Sequence, residues 1–181
     1  MIRQAQKVRL YPTDEQKQQL AGAMGCCRWW WNYALNKSIE TYKKTGKSLS
    51  RNGLNALLPN LKKDEETEWL KTEVYSQSLQ QTSLNLSRAF INFFEKRARF
   101  PRFKSKHRKQ SVGFPQSVKI EGDWIRLPKI GLVKAVFDRR YIGVIKTVTV
   151  SKDSSGKYFA SIIYELEACF ITCGSSLCVT R

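Results

Sequence analysis

The sequence predicts an α+β protein in which one short strand comes first, a block of helices follows, and a small β-structure closes the chain. Three observations carry this. Residues 5–11, AQKVRLY, alternate between apolar and charged side chains. Two long segments between residues 14 and 94 repeat their apolar residues at helical steps of three and four. From about residue 110 onward, short β-branched alternating stretches are separated by glycine and aspartate turns. A first strand cut off from the others by helices is most economically placed in the late sheet, which makes the helices an insertion.

Each element has its own signal. In the first strand Val8 and Leu10 fall on one side and Lys7 and Arg9 on the other, and Pro12 ends it. Thr13 followed by Gln16 forms a capping box, with Asp14 and Glu15 in the first turn of a helix. Leu20, Met24, Cys27, Trp31, Leu35 and Ile39 then mark one face, Lys43 and Lys44 suit the negative end of the dipole, and Gly46 supplies the stop. A shorter helix is predicted from Ser50 through Leu58, ended by Pro59. Asp64, Glu65, Glu66 and Glu68 read as a solvated turn and helix start. From Ser76 a second strong helix puts Leu79, Ser83, Leu86, Phe90 and Phe93 on one face and Gln80, Asn85, Arg88 and Asn92 largely elsewhere. The predicted turns in the β-structure lie at Glu121-Gly122-Asp123 and from Asp153 to Gly156.

Composition narrows the partners. The 181 residues carry 32 Lys+Arg against 15 Asp+Glu, a net charge of +17, with 41% hydrophobic and 12% aromatic content. That hydrophobic share builds an ordinary core, and the charge exceeds what solubility needs, so a polyanion is the simplest partner. The sequence lacks a long apolar run and an amphipathic lysine-faced anchor helix, which favours nucleic acid over a membrane surface. MIRQAQKVRLYP has no apolar core of a secretion signal, so the expected compartment is cytoplasmic, with association to the nucleoid. In that compartment an odd set of five cysteines does not imply disulfides, and Cys26 and Cys27 read as small buried thiols.

The strongest chemical signal is EKRARFPRFKSKHRKQ. Lys96, Arg97, Arg99, Arg102, Lys104, Lys106, Arg108 and Lys109 crowd a segment in which Pro101 forbids a continuous helix. Cations at this density on extended backbone can follow a phosphodiester chain, supplying affinity and salt dependence rather than sequence choice. Phe100 and Phe103 either stack on unpaired bases or anchor the segment to the core. In GCCRWWWNYAL three consecutive tryptophans span about 200° of a helix, so at least one must face something other than one core. Core packing suits Trp31 best and Trp30 next, which leaves Trp29 for a partner surface. Arg28 and Asn32 share a face and either bind a phosphate or base edge or make bonds within the protein. Signals for catalysis are weak: the sole histidine, His107, sits among cations, and HExxH, GxSxG and Walker-type glycine patterns are missing.

The ordered motifs VRLYPTDEQ, GCCRWWWNYAL, LQQTSLNLSRAFINFF, FPRFKSK, SVGFPQSVKI, IRLPKIGLVK and IKTVTVSKDSSGKYFASIIYE closely resemble the amino-terminal half of the TnpB (OrfB) proteins of insertion sequences, over about residues 1–167. Proteins of this family were long labelled transposases and are understood as RNA-guided DNA endonucleases related to type V CRISPR effectors. The resemblance implies a wedge-type, oligonucleotide-binding-like β-barrel from residues 1–13 and 110–167. Into it a helical recognition lobe, residues 14–109, is inserted, with helix-turn-helix-like first helices. It implies as partners DNA and a guide RNA derived from the transposon end, with base pairing supplying most of the specificity. Gln80 and Gln116 become candidates for contact with a short DNA motif beside the target, with Ser76 and Gln77 on the same helix as Gln80. The basic residues of FPRFKSK become contacts to the RNA or heteroduplex backbone.

In the family the strand ending near SIIYELE leads into a RuvC-like nuclease domain with its catalytic acids and a paired CxxC zinc ribbon. Full-length members thus hold a divalent metal and zinc. In this sequence no aspartate follows Asp153, so neither cofactor and no catalytic residue is expected here. Cys169, Cys173 and Cys178 lack the spacing and the fourth ligand of a structural zinc site. Residues 168–181 are expected to be a non-native or disordered tail, and the chain a nucleic-acid-binding part truncated before the nuclease. The alternatives are a nuclease-dead RNA-guided repressor and a generic RNA-binding protein.

Overall fold

A computed structural model of the chain describes residues 2–139 and 141–166, together with the backbone of 172–173 and 176–177. It divides into two compact units, residues 1–20 with 109–181 and residues 21–108.

Among the described residues the first unit is dominated by an antiparallel sheet of seven strands, curled as a half-barrel. They are β1 (Ile2–Tyr11), β2 (Gln110–Phe114), β3 (Lys119–Glu121), β4 (Trp124–Leu127), β5 (Gly131–Val136), β6 (Val144–Lys152) and β7 (Tyr158–Leu166), in the order β2-β6-β7-β1-β5-β4-β3. The first strand of the chain is therefore an interior strand. It pairs with β7 from Ile2↔Leu166 to Leu10↔Tyr158 and with β5 from Arg9↔Val136 to Tyr11↔Lys134. The period-two alternation sorts its faces as the sequence predicts. Val8 and Leu10 are buried with Phe114, Ile125, Val133, Val148, Val150, Ala160 and Ile162, while Lys7 is exposed and Arg9 half-buried on the other side. Gly122 (φ +59) turns β3 into β4, and Gly156 (φ +80) turns β6 into β7. In that second turn the Asp153 carboxylate accepts from the Lys157 amide and the Ser155 hydroxyl, both at 2.8 Å. At Gly143 a Cβ would lie 2.7 Å from the Glu165 carbonyl oxygen, a close approach only glycine tolerates.

The boundary between the units falls within α1 (Asp14–Thr45). The helix starts on the expected capping box: the Gln16 amide donates to Thr13 Oγ1 at 3.3 Å, and the Thr13 amide donates to Gln16 Oε1 at 3.1 Å. Gln16 Nε2 also donates to the Leu132 carbonyl in β5 at 2.7 Å. At the other end the Gly46 amide bonds the Tyr42 carbonyl, with φ +67 at Gly46.

The second unit continues with α2 (Arg51–Leu61), α3 (Trp69–Thr72) and α4 (Ser76–Phe94). Pro59 does not end α2, contrary to the prediction. It lies inside the last turn, where its missing N–H costs a single ladder bond, and the Lys62 amide still reaches the Leu58 carbonyl at 3.0 Å. The four acids from Asp64 to Glu68 are exposed around a short 3-10 turn. The core is built from Trp30, Leu35, Leu54, Leu70, Leu79 and Leu86, all fully buried. Trp30, rather than Trp31, is the deepest tryptophan, because Ser83 on α4 is small enough to admit the indole and its Oγ accepts the Nε1–H at 3.0 Å. Cys26 and Cys27 are buried, reduced thiols. The expected tail lies outside the described residues, apart from a backbone ladder between Thr172–Cys173 and Ser176–Leu177. Cys169 and Cys178 lie outside them too, and so does the side chain of Cys173.

Candidate nucleic-acid interface

In the helical unit the segment after α4 forms a strap. The chain leaves α4 through Lys96 at φ 59, and the Arg97 and Ala98 amides turn back to the Asn92 carbonyl. Pro101 is buried, and Phe100 packs edge-on against Phe90 and Phe93 at centroid distances of 5.8 and 5.2 Å. Two neighbouring side chains of α1 then take hold of the strap's backbone. Trp31 Nε1 donates to the Arg102 carbonyl at 3.0 Å. The Asn32 amide grips Lys104 twice, Nδ2 donating to its carbonyl at 3.0 Å and Oδ1 accepting its N–H at 2.7 Å. An extended segment with no sheet partner thus has its backbone polar groups answered by side chains.

The consequence is a fixed backbone that carries exposed cationic residues, with Lys104 folded back onto Trp31. Arg99, Arg102, Lys104, Lys106, Arg108 and Lys109 are all exposed, and Phe103 is 56% exposed. Lys104 Nζ stands 3.9 Å over the Trp31 ring, a cation–π contact that sets where this charge sits. Burial lowers the Lys104 ammonium from its ordinary value. The Cys27 thiol, whose Sγ points to the Ser78 carbonyl at 3.9 Å, is pushed up to about 11 by burial and so stays protonated near neutrality. Arg97 is ion-paired with Glu95.

In the β unit the cations are carried differently. On the outer face Lys7 Nζ lies 4.3 Å from the Phe159 ring centroid, and the Arg9 guanidinium lies 5.1 Å from Phe159 and 5.4 Å from Tyr11. Arg9 Nε is buried without a hydrogen-bond partner among the described residues. Gln116 is exposed beyond β2.

Of the residues singled out by sequence, the structure brings together Asn32, Arg102 and Lys104 in one cluster and Lys7 with Arg9 in another. Gln80 and Arg88 are exposed on α4. Asn32 spends its amide on the strap, which is the intra-protein alternative, and Arg28 is half-buried on the same helix. Trp29 is half-buried, stacked on Tyr33 at 5.1 Å and edge-on to Trp69 at 5.3 Å. Sequence reasoning missed Phe159, whose only signal is a large aromatic on the polar side of an alternating strand, and it missed the clamping role of Asn32. Among the described residues no three His, Cys, Asp or Glu side chains are grouped to hold a metal, and no helix is long and apolar enough to cross a membrane.

Comparison with known proteins adds an independent line. Residues 1–47 match the helix-turn-helix domain of the OrfB_IS605 type. InsQ of Escherichia coli K12, provisionally named an RNA-guided DNA endonuclease, is 39% identical over 166 residues, covering 91% of this chain and 41% of that protein. A Streptomyces pristinaespiralis protein with the same provisional name is 36% identical over 172 residues, covering 91% of this chain and 42% of its own. The virulence protein VsdF of Salmonella dublin is 39% identical over 114 residues, 58% of this chain and 95% of VsdF. The chain spans about two fifths of the two longer relatives.

Proposed function

We propose that this chain, which belongs to the TnpB (OrfB) family of insertion-sequence proteins, grips nucleic acid within an RNA-guided DNA-targeting system as the amino-terminal part of such a protein. Its partners are a guide RNA derived from the transposon end and the DNA that this guide pairs with. The observation that carries the reading is the clamped strap. Trp31 and Asn32 hold the backbone of Arg102 and Lys104, Trp31 also holds the Lys104 ammonium over its ring, and Arg99, Arg102, Lys106 and Arg108 are exposed along the same strap. A preorganised row of cations loses less freedom on meeting phosphates than a mobile one. Lys7 and Arg9, set over Phe159, offer a second cationic and aromatic surface. Exposure of Gln80 and Gln116 supports a polar contact with a short DNA motif beside the target. The role proposed for these residues is binding, since cations on a phosphodiester backbone supply affinity and salt dependence.

Filter binding of a structured RNA at two salt concentrations tests this. Affinity falls steeply with salt, and reversing Arg102, Lys104 and Lys106 to glutamate flattens the slope by roughly 0.7 to 0.9 for each phosphate that is no longer neutralised. Absence of affinity for both RNA and DNA at low salt would overturn the reading.

A further inference from the structure

The helical unit holds a cavity of about 380 Å³ where the carboxyl-terminal ends of α1 and α4 meet Phe100 of the strap. Its wall includes Tyr42, Lys43, Ser48, Phe93, Phe94 and Phe100. We propose that this cavity seats one unpaired base of the RNA, an inference that rests on the function proposed above.

Four features argue for that occupant. The volume is at the lower end of small-ligand pockets, about 300 to 1,000 Å³, so it suits a single ring system rather than a docked helix, which needs a groove several anchors long. The wall is aromatic yet open: Phe94 is 61% exposed, Tyr42 55% and Phe100 43%. Phe93 meets Phe94 at 5.4 Å, tilted 57°, and Phe100 at 5.2 Å, tilted 89°, so neither exposed neighbour is stacked face to face on Phe93, and a base can stack on the outer ring surface of the wall. Apart from Lys43, the polar groups are few and neutral. Ser38 donates its hydroxyl to the Ala34 carbonyl and keeps acceptor capacity, and Ser48 is exposed at the wall.

The charge around the cavity selects a polyanion. No acid lines it, Lys43 does, and Lys44, Lys47, Lys96 and Arg99 lie next to it in sequence. The nearby acids Glu40 and Glu95 are occupied by Lys37 and Arg97. An apolar partner protein would gain the aromatic wall but not the cations. A nucleotide uses both, with its base in the cavity and its phosphates on the rim.

The experiment measures binding of the full chain to a short fluorescein-labelled single-stranded RNA carrying one fluorescent aminopurine, beside an RNA duplex and a single-stranded DNA of the same sequence. Phe94→Ala, at an exposed position, and Tyr42→Ala are compared with the parent, and their thermal melts confirm folding. Both variants should lose about 5- to 100-fold in affinity for single-stranded RNA, the worth of one base–aromatic stack, and lose the aminopurine fluorescence change, while duplex binding is unaltered. Phe94→Trp should restore both signals. Unchanged single-strand affinity in both variants overturns the proposal and leaves the function standing. Equal loss on the duplex overturns it as well, and a loss confined to DNA overturns RNA as the source. A parent chain that binds no nucleic acid at all overturns both the proposal and the function beneath it.

Discussion

In the β unit Lys7 and Arg9 ride on a strand laddered to β7 and to β5, whereas in the helical unit Arg102 and Lys104 ride on a strap held by the side chains of Trp31 and Asn32. Both arrangements set a cation over an aromatic ring, at 4.3 Å for Lys7 on Phe159 and 3.9 Å for Lys104 on Trp31. They differ in what keeps the backbone still. A ladder spreads that task over many main-chain bonds, so no side chain of β1 can be removed to release it. The strap concentrates the task in two residues, and its order is correspondingly open to single substitutions.

Replacing Trp30 by alanine should break the comparison most severely, since it empties the helical core. The expected cost is about 3 to 5 kcal/mol for the buried indole, and Ser83 Oγ loses the hydrogen bond it accepts while still donating to the Leu79 carbonyl. Urea unfolding followed by circular dichroism should show early loss of helix, while hydrogen exchange reports continued protection of the β1–β7 ladder. Simultaneous loss of both would mean that the two cores are one cooperative unit.

Asn32→Ala acts at a single joint. It removes two hydrogen bonds to Lys104, about 1 to 3 kcal/mol of local order, so the Lys104 amide should exchange roughly 10- to 100-fold faster with little change in the global midpoint. Lys7→Ala is the matched control and should leave the β1 amides as protected as before. Equal protection of the Lys104 amide in Asn32→Ala would show that Trp31 and Phe100 suffice to order the strap.

The smallest effect concerns an acid that ties two strands of the sheet to a third. Glu165 on β7 meets Lys146 of β6 at 2.5 Å and Arg3 of β1 at 3.4 Å, and the hydrogen bond from Lys146 is the main cause of its lowered pKa. A carboxyl lowered in the folded state contributes stability that is fully present above its ordinary value, 4.5, and is lost as pH falls through the lowered one. Thermal midpoints measured down the acid range should therefore decline less in Glu165→Gln than in the parent. Because both cationic partners lie in solvent, the difference should be slight.

Much of this was legible in the chain. The faces of β1 followed from alternation, the start of α1 from Thr13 and Gln16, and the buried stripe of α4 from Leu79, Ser83, Leu86 and Phe90, because each depends on neighbours within a turn or two. Pro59 misled because a proline near a helix end costs only one bond. The tryptophan triplet misled in order. Helical geometry said that the three could not share one core, but which indole went deepest depended on a serine on α4, 53 positions away. The cations of the candidate interface were visible as a charge run, and their fixed placement was not.

By itself the sequence determined the kinds of element, their order, the polarity of their faces and the excess of positive charge, all of which are local or additive properties of the residues. Only the tertiary structure decided that β1 lies between β7 and β5, that Phe159 comes beneath Lys7 and Arg9, and that Asn32 is spent on Lys104. Those contacts join residues far apart in the chain. Hydrogen-bond geometry and close packing, which have no period that can be read along a sequence, select them.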